Sequence, residues 1–296
     1  MRKAYYIWII MLIVVASETA MAQVNLQVVT KTIEQTFPYE TRDYVLLKGN
    51  KSNIEIVGWD LPQVKVEIKL TSKARTKEIA QRELEFQRYV LEKKKNEIGM
   101  ANYYSYPEKG YKLQSILLAT YKIWVPRNAE IQVNNEYGNV QLEELVGNYT
   151  VGNRFGNLTL KNIGGNGVFN SYFGDCKVAE LSGQHEFTLN KTKTAISGLS
   201  GTASINSNLG DVSITDISTM LVLEIDAVKS DLSLSLGTEW EKYDLYFKSS
   251  FGEVVVDPEM VPNAAISDKN DLYIMKKRGQ PEIKATTTFG TITIAK

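Results

Sequence analysis

Apolar and polar residues alternate in short runs through the middle of the chain, as in Val140-Gln141-Leu142, Leu158-Thr159-Leu160 and Val212-Ser213-Ile214. A period of two is the mark of a strand with one buried face. The runs recur at a step of 18 residues: Tyr137-Gly138-Asn139, Phe155-Gly156-Asn157, Phe173-Gly174-Asp175, the divergent Lys191-Thr192-Lys193, then Leu209-Gly210-Asp211. Columns behind the glycine agree, with Leu142, Leu160, Val178, Ile196 and Ile214 forming one and Leu145, Ile163, Leu181, Leu199 and Ile217 another. Each unit therefore predicts two short strands and two turns, with every residue stacked about 4.8 Å from its counterpart one coil away. The predicted fold is all-β, a single β-solenoid (β-helix) of stacked coils of 18 residues. A transmembrane barrel also alternates, over strands of roughly 9–11 residues, but it has no need to repeat a turn glycine and its aromatic neighbour at constant spacing.

After Gly210 the spacing lengthens through Ser230-Asp231-Leu232, Phe251-Gly252-Glu253 and Phe289-Gly290-Thr291. This predicts loop insertions, with Pro258 to Pro262 and the MKKRGQP run at 275–281 as their sites. Upstream, Ser52 to Leu70 alternates around Gly58-Trp59-Asp60 and reads as one more coil. Residues 74–85, ARTKEIAQRELE, lose the alternation and predict a short helix. A hairpin follows over 86–103 with its turn at Lys94-Lys95-Asn96, and Ile116 to Val125 is a strand closed by Pro126. This helix and hairpin form an insertion near the N-terminus that caps one end of the stack. The other end, TITIAK, has no evident cover, so head-to-tail self-association through it is expected.

Taken in series, "IEIVGWD", the helix and hairpin, "IWVPRNAEIQV" and the units YGN, FGN, FGD, LGD and FGE resemble the DUF4097 family of adhesin-like bacterial envelope proteins. The resemblance covers nearly all of the chain after residue 22. It implies an exported β-solenoid and carries over no established catalytic residue. The Lys191-Thr192-Lys193 unit departs from the family's glycine pattern.

Arg2 and Lys3 precede an apolar run from Ala4 to Ala16, and Ala20-Met21-Ala22 supplies small residues before Gln23. Residues 1–22 thus read as a cleaved secretory signal, since the run is shorter than the roughly 20 residues that cross a bilayer. The remaining organisation is an N-terminal β region over 23–130, continuous with the repeat solenoid of 131–296. Localisation is expected in the periplasm, at the cell surface or outside the cell, with no membrane span in the mature chain. The full chain has 34 basic and 34 acidic residues, and removing the signal takes two of the former and one of the latter. Near-neutrality argues against a nucleic-acid partner, which needs clustered positive charge. A single cysteine, Cys176, makes no intramolecular disulfide, and its column with Val140 and Leu158 predicts burial and inertness.

Candidate chemistry is sparse. The repeated glycines read as corners needing positive φ or close backbone approach, rather than as phosphate loops. Gly164-Gly165-Asn166-Gly167 lacks the aspartate of calcium-binding β-rolls, and Asn139 and Asn157 read as a stacked amide ladder. Asp175 and Asp211, two coils apart, would stand roughly 9.6 Å from each other, near the limit for an inverting glycosidase pair. Lys193 between them holds both ionised, so an ion ladder on a solvated face is the better reading. His185 is the one histidine and lies at a coil corner. No cofactor, metal or catalytic residue is expected.

The segment 102–111, NYYSYPEKGY, gathers Tyr103, Tyr104, Tyr106 and Tyr111 on a loop. Tyrosines so placed serve carbohydrate or protein contacts, or else cover the flank of the stack. The sequence thus points to an exported non-enzymatic adhesin-like or scaffold protein with a protein or glycan partner in the cell envelope. A polysaccharide-acting enzyme using a groove, or a self-assembling polymer, is the alternative.

Overall fold

The computed structural model describes residues 25–260, 265–268, 270–274 and 281–296. The signal reading of 1–22, and most of the two insertion sites proposed at 258–262 and 275–281, lie outside the described residues. The N-terminal region comprises β1 (Gln27–Pro38), β2 (Tyr44–Asn50), β3 (Ser52–Trp59), β4 (Gln63–Ala74), the helix α1 (Lys77–Leu84), β5 (Gln87–Lys94), β6 (Glu97–Tyr104) and β7 (Ile116–Pro126). The repeats supply β8 (Glu130–Glu136), β9 (Val140–Leu145), β10 (Asn148–Arg154), β11 (Leu158–Ile163), β12 (Asn166–Leu181), β13 (Gln184–Asn208), β14 (Val212–Val228) and β15 (Leu232–Ser235). Six shorter strands complete the chain: β16 (Asp244–Ser249), β17 (Val254–Val256), β18 (Ala265–Asp268), β19 (Asp271–Ile274), β20 (Glu282–Thr287) and β21 (Ile292–Ala295).

Among the described residues the protein is all-β with one α-helix, and its repeats run in two parallel ladders. A front ladder stacks β2, β8, β10 and the first half of β12, and a back ladder stacks β3, β9, β11 and the second half of β12. Register is kept at the 18-residue step: Leu142 pairs with Leu160, Leu160 with Val178, Val178 with Ile196, and Ile196 with Ile214. All five are buried. Alternation decides which side chains go inside, and the constant step decides that like packs on like, so the interior is a set of continuous apolar columns.

Corners explain the repeated Xaa-Gly pair more sharply than the sequence did. Positive φ falls on the first residue of each corner triplet, at 60° for Tyr137, 59° for Phe155, 61° for Phe173 and 59° for Leu209 before a glycine, and at 51° for Lys191 before Thr192. The glycine is needed for space, because a Cβ on Gly156 would lie 2.0 Å from the Gly138 carbonyl oxygen. The expected amide ladder is a ladder of a different kind. Asn139 Oδ1 accepts the backbone N–H of Asn157 at 2.9 Å, and Asn157 Oδ1 accepts that of Asp175 at 3.0 Å. Only an oxygen is used, which is why asparagine and aspartate interchange in this column.

Ser52 to Leu70 is not a single coil. β3 runs parallel between β7 and β9, whereas β4 lies antiparallel between β1 and β7. The coil stacked on residues 130–143 is instead β2 with β3, through Tyr44 opposite Glu130 and Ile54 opposite Val140. Parallel and antiparallel strands share the same period of two, so alternation alone did not separate them. The helix and the hairpin form where expected. Thr76 Oγ1 caps α1 by accepting from Ile79 N–H at 3.3 Å, α1 packs on β1 and β4, and β6 joins the front ladder beside β2.

At the other end the uncovered TITIAK edge does not exist. β21 lies between β15 and β17, and β20 between β14 and β16, with both strands parallel to both neighbours. Residues 282–295 are therefore inserted between two stretches that precede them in sequence. Self-association through TITIAK has no free strand edge to use.

Candidate functional site

Of the four tyrosines singled out in the sequence, three stack on one another. Tyr104 and Tyr106 stack at 6.2 Å, Tyr106 and Tyr111 at 6.4 Å, and Phe86 meets the edges of Tyr106 and Tyr111. Tyr111 Oη donates to Glu83 Oε1 at 3.0 Å. Burial pushes the Tyr104 phenol pKa upward. Three rings thus pack on one another beside the hairpin, with Tyr106 still partly open to solvent, and Tyr103 projects half-exposed from β6.

A larger aromatic feature follows the corner glycines. Tyr137 and Phe155 stack at 4.9 Å, and Phe155 and Phe173 at 5.0 Å, with interplanar angles of 8° and 13°. These rings are 51%, 41% and 40% exposed. Lys191 Nζ continues the row 5.0 Å from the Phe173 centroid. Phe251 and Phe289 stack at 4.8 Å, though they are far apart in sequence, because the inserted coil brings them level. A left-handed backbone costs a bulky residue about 1–2 kcal/mol, which stacking at about 0.5–1.5 kcal/mol per pair partly offsets. Since the ring faces cover one another, the ribbon presents ring edges to solvent.

Beside the ribbon, the outward face of the front ladder carries a groove of about 690 Å3 spanning β2, β8, β10 and β12. Gly152 lies at its floor between Asn134 and Asn170, its register neighbours. Lys48, Glu136, Arg154 and Tyr172 also line it. The Arg154 guanidinium lies 5.9 Å from both the Tyr172 and Phe155 centroids and 3.9 Å from Glu136, joining groove and ribbon. A second depression of about 490 Å3 follows the start of the same strands, where Asn166 Nδ2 donates to Asn148 Oδ1 at 3.0 Å. Sequence reasoning missed the groove because its signal is one missing side chain, Gly152, in a column that otherwise looks like ordinary polar surface.

The remaining candidates are structural. Lys193 lies in register beside Asp175, but among the described residues no ion pair joins Asp175, Lys193 and Asp211, and the expected ion ladder gives way to hydrogen bonding. Asp211 Oδ1 accepts the Asp231 N–H at 3.2 Å. His185 is buried against Phe169 with Nε2 2.9 Å from the Ser182 carbonyl, and desolvation lowers its pKa. Burial pushes the Cys176 thiol up to about 12. Among the described residues no group of three or more His, Cys, Asp or Glu side chains is placed to hold a metal ion, and no helix is long and apolar enough to cross a membrane.

A family model described as Toastrack DUF4097 matches residues 45–295. The chain belongs to the DUF4097 family. That match starts in β2 and ends in β21, leaving out β1 and taking in the other N-terminal strands, the repeats and residues 282–295. Similar solved structures include a candidate adhesin from Bacteroides fragilis, 14% identical, covering 90% of this chain and 96% of that one with a TM-score of 0.42. Another is a candidate lipid-binding protein from Parabacteroides distasonis, 12% identical, covering 90% and 97% with a TM-score of 0.36. A third is a candidate cell adhesion protein from Clostridium sporogenes, 12% identical, covering 90% and 99% with a TM-score of 0.24. No curated protein matches the chain.

Proposed function

We propose that this DUF4097 protein is an exported β-solenoid of stacked 18-residue coils that acts as an adhesin-like scaffold, holding an envelope or surface partner on its outer face without catalysing a reaction. The observation that carries this reading is the exposed ribbon of Tyr137, Phe155 and Phe173. Other corners hold the same left-handed conformation with lysine or leucine, as at Lys51, Lys191 and Leu209, so the fold does not require aromatic rings there, and an exposed row of them marks a contact surface. Export is supported by the basic and apolar start of the sequence and its small residues before Gln23. The burial of His185 and Cys176 removes the histidine and the thiol from the surface on which a substrate would lie.

The test is attachment. Displayed on a non-adherent bacterium, the chain from Gln23 should bind envelope-coated or host-matrix-coated surfaces, and a Tyr137→Ser, Phe155→Ser, Phe173→Ser variant that keeps its thermal midpoint should attach several-fold less. Equal attachment by the variant removes the ribbon from the account. Absence of attachment to every surface removes the adhesin-like reading.

A further inference from the structure

Most glycines of the repeat are required by the backbone. A Cβ on Gly138, Gly147, Gly156, Gly165, Gly174, Gly183 or Gly210 would stand 2.0–2.2 Å from a carbonyl oxygen of the neighbouring coil. Gly152 is different. Its φ lies outside the left-handed region, the nearest atom to its would-be Cβ is the Asn134 side-chain oxygen at 3.0 Å, and the nearest backbone atom is 3.9 Å away. β10 also pairs with β8 and β12 without any break in register, so no bulge explains it. A glycine inside a strand is less stable there than alanine, and where neither bend nor bulge needs one it marks a place where something approaches the sheet closely.

What Gly152 does is interrupt a polar column. In the neighbouring column Asn148 and Asn166 bond to each other, whereas Asn134 and Asn170 are separated by Gly152 and stand roughly 9.6 Å apart by strand spacing. Among the described residues neither Asn134 nor Asn170 makes a side-chain hydrogen bond. Each therefore leaves its amide donors and acceptor without a protein partner, and Asn134 Oδ1 lies 3.0 Å from where a Gly152 Cβ would stand. Lys48, Glu136, Arg154 and Tyr172 stand around it.

The lining also rules on the occupant. No aliphatic side chain lines the groove, so it offers nothing to an acyl chain or to the apolar anchor of a peptide. Its strands are paired on both sides, so their backbone cannot accept an added strand. What remains is a row of amides with a guanidinium, a carboxylate and one phenol, matched to a ligand dense in hydroxyl groups. Each amide pairs with one hydroxyl as donor and a second as acceptor, and Tyr172 supplies an amphipathic ring.

We infer that the groove over Gly152 is a carbohydrate-binding site that seats a short oligosaccharide between Asn134 and Asn170, with Arg154 and Glu136 on one wall. This deepens the adhesin-like reading and rests on it. The experiment uses the purified chain from Gln23 and a printed panel of neutral, N-acetylated and uronate-containing oligosaccharides, with hits measured again by calorimetry. Gly152→Ile fills the notch with a residue that suits a strand, so its thermal midpoint should hold or rise while affinity falls about tenfold or more. Asn170→Ala should weaken binding in the same direction, and Ser213→Ile on the back ladder should leave it unchanged. Undiminished binding by a folded Gly152→Ile variant overturns the site. So does a panel with no oligosaccharide bound. Attachment to protein-coated surfaces in that second case would leave the adhesin-like reading standing and the carbohydrate site alone refuted.

Discussion

Glu83 Oε2 accepts the Ser115 hydroxyl at 2.6 Å, joining a fully buried carboxylate of α1 to the segment that leads into β7. The same carboxylate takes the backbone N–H groups of Gln114 and Ser115 and the Tyr111 hydroxyl. Burial opposes its ionisation, but these donors outweigh burial and the pKa is lowered. Its ionised form is thus part of how the tyrosine segment is held down.

Stability from Glu83 should be fully present above the unfolded glutamate value of about 4.3 and lost as pH falls through the lower folded value. Glu83→Gln should flatten that part of the curve. Glu83→Ala should cost about 2 kcal/mol, since it removes the acceptor shared by the Gln114 and Ser115 backbone donors and two hydroxyls. Urea unfolding across acid pH measures both.

His185 acts in a higher window. Its folded pKa is lowered by burial, so the unfolded chain binds the proton more readily, and stability is complete above about pH 6.5 and declines as pH falls below it. Replacing His185 with leucine should abolish this decline while leaving the Glu83 window intact. A slope between neutral pH and pH 5 that persists in His185→Leu would assign it to another group.

Gly156→Ala should destabilise by about 3 kcal/mol, because the new methyl meets the Gly138 carbonyl oxygen in the next coil and the stacked backbones must part. Gly152→Ala should be neutral or stabilising by about 0.5–1 kcal/mol. Two glycines four residues apart, given opposite signs by chemical denaturation, would separate the corner role from the groove role.

Leu160 is buried between Leu142 and Val178 with paired strands on both sides, so the coil cannot collapse around a loss of volume. Leu160→Ala should cost about 2–5 kcal/mol. A much smaller loss in denaturant unfolding would contradict the stacked register.

The repeats were legible because residue identity, and not merely polarity, returns every 18 positions, as at Tyr137, Phe155 and Phe173. The placement of β4 was not, since Val64, Val66 and Ile68 alternate as a coil strand would while pairing antiparallel. Nor was the course of residues 282–295: Phe289 follows Phe251 in sequence but precedes it in the stack, an inversion that a linear spacing does not encode. In the candidate site, the stacking of Tyr104, Tyr106 and Tyr111 on one another was not legible from their number, and the aromatic residues of the repeat were read as register markers and proved to be a stacked, exposed row. A one-residue absence such as Gly152 stands out only once its neighbours on adjacent strands are known.

The seating of β21 between β15 and β17 also decides how the molecule bears tension. A coil lying outermost would peel away one hydrogen bond at a time. Pulling on β21 instead shears two parallel ladders together, so this strand resists force more than an outermost one does.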